Sequence, residues 1–183
     1  MSEQQPVGSR NPLRRLSRRY LTWTAYGLLM LATIMLQSLP HGLPAIGGVR
    51  PVLIVPLVVC TAMYEGPVGG AAAGIAAGLL WDMFSDRLLG FNALLLLIVG
   101  CACGLLVRLL IRNNLLAALL LSAAGLMVTG LADWFFNHVM ALQKESVVAL
   151  VQLTLPRALY SFLLTPLLYG LVTLIARTLR RRE

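Results

Sequence analysis

Two aspartates, Asp82 and Asp133, stand inside long apolar runs, where a carboxylate is rare and usually functional. Brought close together, two such carboxyls share one proton and work as general acid and base. Their flanking sequences, GLLWDMFSD and GLADWFFN, match no pattern that supports such a dyad. Both also lie near the end of a run rather than at its centre. His41 and His138 are far apart, and neither has metal-ligand spacing. Cys60, Cys101 and Cys103 sit in apolar runs without a CxxC pair and read as small apolar packing residues. The chain holds no GxSxG, HExxH or phosphate loop. No series of ionisable residues crosses the middle of any run, as a proton-coupled pump requires. These residues therefore predict a protein that is not an enzyme, with no cofactor and no metal.

The stretch GAAAGIAAGLLWD, from Gly70 to Asp82, carries a different signal. Gly66, Gly70, Gly74 and Gly78 fall four apart, and Asp82 follows four later. Residues four apart stack on one helical face. The glycines form a shallow groove, widened by Ala73 and Ala77. In lipid, helices associate through close backbone approach at small residues rather than through a hydrophobic drive. The row is thus a packing interface, facing either the same chain or another protein. A homodimer stays open on this reading. Asp82 is ~22 Å of helix from Pro67, which places it near one membrane interface. It reads as a cap or a local ion pair, for example with Arg87, or as the group that holds this junction and a partner. Asp86, Gly90 and Asn92 belong to the same junction, because DRLLGFN has the composition of a tight turn.

The elements that carry these residues are apolar helices. The chain has 183 residues, 58% of them hydrophobic, and a mean hydropathy of +0.82. A soluble domain of this length has too much surface to hide that fraction. Several runs approach the ~20 residues that cross a bilayer, and no ten-residue alternation suggests a barrel. The fold expected is all-α, a polytopic bundle of six transmembrane helices. The spans fall at about 21–39, 51–64, 67–84, 91–111, 115–136 and 155–179. Glu65, Gly66 and Pro67 form the turn between the second and third, with Pro67 at a first helical position that tolerates proline. Pro56 and Pro166 lie inside apolar runs and are expected to kink them. The one longer connection, 137–154, has apolar groups around Lys144 and Glu145 and is expected to lie along the outer surface.

Charge orients the bundle. Arg10, Arg14, Arg15, Arg18 and Arg19 precede the first span. Arg108 and Arg112 flank the fourth-to-fifth turn, and Arg177, Arg180, Arg181 and Arg182 close the chain. With six spans, these eleven fall on one side. Only Arg50, Arg87, Lys144 and Arg157 fall on the other. The basic side is cytoplasmic. The chain then divides into a basic cytoplasmic segment 1–20, a membrane domain 21–179 and a basic cytoplasmic tail 180–183. The net charge of +8 sits at membrane boundaries, so it points to anionic lipid and not to nucleic acid. Arg14, Arg15, Arg18, Arg19, Arg180, Arg181 and Arg182 are the expected headgroup contacts. PLRRLSRRYL is either a short interfacial helix or a plain positive-inside tail.

RPVLIVPLVV, the turn YEGPVGG and GIAAGLLWDMFSDRLLGFNALLLLIVG together resemble the rod shape-determining MreD family. The matching positions are Pro51, Gly74, Gly78, Leu79, Asp82 and Gly90. LPRALYSFLLTPLLYGLVTLIAR, with Pro166, resembles that family's last span. The resemblance implies a non-catalytic scaffold in the bacterial inner membrane, within the machinery that elongates the cell wall. It implies MreC as partner and, through it, MreB, RodA and a transpeptidase penicillin-binding protein. It also implies a fold similar to the substrate-binding membrane subunits of energy-coupling-factor transporters. The alternative is a subunit of that kind, binding a vitamin-like small molecule.

Overall fold

The computed structural model describes residues 12–39, 51–85, 89–110, 113–136 and 155–180. The described residues form five helices: α1 (Pro12–Ser38), α2 (Ile54–Met83), α3 (Phe91–Leu109), α4 (Leu115–Trp134) and α5 (Leu155–Arg180). All five hold a stretch long and apolar enough to cross a membrane. The count of six separate spans is corrected at α2. The two spans expected at 51–64 and 67–84 are one 30-residue helical element, interrupted at Gly66. Its first limb, 54–65, is about 18 Å long, well short of a ~30 Å hydrocarbon core.

The interruption is a reversal. Gly66 has φ 79° and ψ −171°, a conformation that only glycine adopts cheaply. Pro67 follows it and starts the second limb, where a missing N–H leaves no hydrogen bond unmade. A Cβ placed on Gly70 would overlap the side chain of Ala62, eight residues earlier. In a straight helix those positions are about 12 Å apart. The limbs therefore fold against one another.

The first limb is the core of the molecule. Ile54, Val55, Val58, Val59, Cys60 and Ala62 are fully buried, as expected of a helix that is apolar on every side. Its N-terminal amides need partners, because lipid supplies none. The Val52 N–H donates to Ser161 Oγ of α5 at 2.6 Å, and the Leu53 N–H donates to Gln37 Oε1 of α1 at 2.9 Å. At the Gly66 end, Tyr64 Oη lies 2.7 Å from Thr173 Oγ1 of α5. The Tyr26 hydroxyl of α1 donates to Glu65 at 3.5 Å, and Asn113 Nδ2 donates to the Met63 carbonyl at 3.4 Å. These contacts fix direction. The start of α1, the end of α5 and the α3–α4 turn all lie toward the Gly66 end of the bundle.

Other expectations change in detail. Pro56 lies in the first turn of α2, where no earlier carbonyl awaits its N–H, so it does not kink the helix. Pro166 lies exposed within α5, which continues as a single helix past it. Pro51 is buried just ahead of α2. The basic stretch that starts at Pro12 is helical and continuous with the apolar part of α1. Arg10, His41, Arg50, Asp86, Arg87, Arg112, the connection 137–154, Arg181 and Arg182 lie outside the described residues.

Candidate functional site

The second limb of α2 packs antiparallel to α3 with backbone against backbone. A Cβ on Gly70 would overlap the Gly100 carbonyl oxygen, and a Cβ on Gly100 would overlap the carbonyl oxygen of Gly70. One on Gly74 would overlap the carbonyl of Leu96, and one on Gly78 the Cα and N of Ala93. A Cβ on Gly104 would fall 2.6 Å from the Gly66 carbonyl carbon. The glycine row therefore faces α3 of the same chain, and the option of another protein on that face is corrected. Gly66 also leaves the row. A Cβ there would meet nothing within 4 Å, and its positive φ serves the reversal instead. Ala73 and Ala77 are buried beside the row.

The sequence reading missed the other half of this interface. Gly100 and Gly104 are four apart on α3, and Leu96 is four before Gly100. The same spacing rule applied to CACG and the residues before it identifies them. It also missed the Tyr64, Tyr169, Thr173 and Asn113 cluster at the reversal, because these polar residues are scattered over three elements.

Asp82 ends the row. It is 2% exposed, and both oxygens accept hydrogen bonds across the α2–α3 turn. Oδ2 accepts from the Gly90 N–H at 2.8 Å and from the Ala93 N–H at 3.4 Å. Oδ1 accepts from Asn92 Nδ2 at 2.7 Å. Gly90 is the N-cap of α3, with φ 99°, and it makes no side-chain cap bond of its own. A carboxylate at a helix N-terminus satisfies orphan amides and matches the positive end of the helix dipole. Asp82 thus caps the next helix from the end of the previous one. Three neutral donors hold it, and Arg87 is outside the described residues.

Asp133 lies elsewhere in the same end of the bundle. It lines a small half-open cleft together with Trp81, Asn92, Leu126, Thr129, Gly130, Arg157 and Ala158. The two aspartates therefore work in different settings, one as a cap and one on a cleft wall. Cys60 and Cys103 are buried in the core and Cys101 is half-buried. Among the described residues, no group of three or more His, Cys, Asp and Glu gathers as a metal site would.

A family model described as rod shape-determining protein MreD matches residues 17–179. No curated protein and no solved structure matches the chain. The expected likeness to vitamin-transporter subunits thus gains no support. With nearly the whole chain matched and several apolar helices of membrane-crossing length, this multi-pass membrane protein belongs to the rod shape-determining MreD family.

Proposed function

We propose that the protein is a non-catalytic scaffold of the wall-elongation complex in the bacterial inner membrane. It binds MreC, a partner with one span and a periplasmic body. Through it the scaffold links to MreB, RodA and a transpeptidase penicillin-binding protein. The observation that carries this reading is the family match over residues 17–179. The packing agrees with it. The first limb of α2 fills the centre of the bundle, and glycine-to-backbone contacts lock α2 to α3. A rigid block with apolar outer faces, such as Leu159, Leu163 and Leu167 of α5, suits holding other membrane helices in register.

Co-purification tests the assembly. Protein extracted in mild detergent is expected to carry the bitopic partner, identified by mass spectrometry. High-affinity vitamin binding without that partner would instead support the transporter reading.

Both termini are proposed to be cytoplasmic. The contacts bring the start of α1 and the end of α5 to one end of the bundle, and Arg108 and Arg177 lie on helix ends pointing the same way. The eleven-to-four charge asymmetry assigns that end to the cytoplasm. Carboxyl-terminal fusions are expected to be active with a cytoplasmic reporter and silent with a periplasmic one. The reverse result would contradict this arrangement.

A further inference from the structure

Pro166 sits near the middle of the apolar stretch 156–178 of α5, at a depth without bulk water. Proline has no N–H, so the Phe162 carbonyl, four residues earlier, loses its helical donor. The other prolines of the described helices cost nothing of this kind. Pro12, Pro56, Pro67 and Pro156 all stand in the first turn of a helix or limb. Prolines persist in transmembrane helices where something else satisfies the freed carbonyl. Here the nearby hydroxyls are committed elsewhere. Ser161 Oγ donates to the Arg157 carbonyl at 2.7 Å, and Thr165 Oγ1 donates to the Ser161 carbonyl at 3.2 Å. Among the described residues, no side chain donates to the Phe162 carbonyl.

Pro166 is exposed, so the orphaned acceptor lies on the outer face of α5, between Leu163 and Leu167, which are 74% and 64% exposed. Lipid chains carry no donor to offer it. A second copy pairing through the same face brings none either, because the exposed residues from Leu159 to Leu174 are leucines, Pro166 and Gly170. A helix of another protein can bring one, since polar side chains hydrogen-bond across transmembrane helices. We infer that the face of α5 around Phe162 and Pro166 docks the single membrane span of a partner, and that this span presents a side-chain O–H or N–H donor to the Phe162 carbonyl. Leu159, Leu163 and Leu167 then pack against the apolar remainder of that span. This inference rests on the scaffold reading and adds to it the docking face and the chemistry of the contact.

The test places the full chain in lipid nanodiscs and titrates it with the purified full-length single-span partner. Pro166→Ala restores the N–H and lets α5 satisfy the Phe162 carbonyl itself. It is expected to hold or raise the melting temperature of the protein alone. Partner binding is expected to weaken about threefold to tenfold, the size of one interhelical hydrogen bond in a membrane. Unchanged binding by Pro166→Ala would overturn the assignment. Should Pro166→Ala lower the melting temperature, crosslinking in the otherwise unaltered protein decides. A photoreactive residue at Leu163 or Leu167 is expected to capture the partner's span at a segment that holds a donor side chain. The same group at the exposed Leu94 of α3 or Leu120 of α4 is expected to capture none of it. Capture from Leu94 or Leu120 instead, capture of a purely apolar segment, or capture of a second copy of this chain would each overturn the assignment. A partner that binds but crosslinks only from those other faces leaves the scaffold reading standing, whereas failure of any single-span partner to co-purify defeats both.

Discussion

Gly78→Leu is expected to abolish accumulation of the folded protein, with loss of rod shape following from that loss. Even the first added carbon would lie inside the contact distance of the Ala93 backbone, and it would fall 2.6 Å from the Asn92 carbonyl oxygen. Backbone atoms of a helix cannot rotate away as a side-chain tip can. The helices must separate, and the backbone contacts along Gly70, Gly74, Gly100 and Gly104 separate with them. Overpacking a well-packed core typically costs about 1–3 kcal/mol, and backbone against backbone puts this site at or above the top of that range. Total stability of a domain is only about 5–15 kcal/mol, so such a loss shows as low protein level and early thermal aggregation in detergent. Gly74→Leu is expected to behave the same way. Gly27→Ala and Gly170→Ala are the controls, because a Cβ at either position meets nothing within 4 Å. They are expected to match the unaltered protein in level and melting temperature, and in complementation of a depletion strain. Normal assembly of Gly78→Leu would show that α2 and α3 do not pack this closely.

Much of this interface was legible in the sequence, and the missing part has a physical explanation. A four-residue period of glycine on an apolar helix has one reading in lipid, so the row itself could be seen in GAAAGIAAG. Its partner surface was harder to see, because α3 supplies carbonyls and amides of Leu96 and Ala93 as well as glycines. Backbone atoms leave no residue type to recognise. The number of spans was misjudged for a related reason. Apolar length and the turn residues Glu65, Gly66 and Pro67 suggested two complete crossings. The first limb is instead a short helix, apolar all round, buried inside the bundle. Hydropathy does not separate a helix facing lipid from one facing other helices. The caps on that limb, Ser161 from α5 and Gln37 from α1, lie 109 and 16 residues away in sequence, so no local motif announces them. Asp82 shows the opposite case. Its partners Gly90, Asn92 and Ala93 come within eleven residues, and the turn composition brought Gly90 and Asn92 into view. The individual hydrogen bonds required coordinates.

Asp82→Leu is expected to be severe and Asp82→Asn mild, and the gap between them reports how the carboxylate works. Leucine removes both oxygens and leaves the Gly90 and Ala93 amides and the Asn92 side chain without their acceptor, in a site that is 2% exposed. Each buried donor left unsatisfied costs about 1–3 kcal/mol. Loss of folded protein is the expected result, comparable with Gly78→Leu. Asparagine keeps the shape and one acceptor oxygen. Its carbonyl can serve Gly90 if its amide turns toward Asn92, and Asn92 can then turn its own carbonyl to accept. That exchange restores the network without charge, at a cost of about 1–2 kcal/mol for the lost charge assistance. The exchange depends on Asn92, so Asp82→Asn is expected to cost more in an Asn92→Leu background, where the new amide finds no acceptor. In a double-mutant comparison the two changes are therefore not additive. A proton carrier or general base gives a different pattern, because removing the ionisable group alone stops its function. Protein level, melting temperature and partner co-purification, measured beside complementation, separate the two cases. If Asp82→Asn accumulates normally and keeps its partner yet supports no rod growth, Asp82 acts by ionisation and the capping account of it fails.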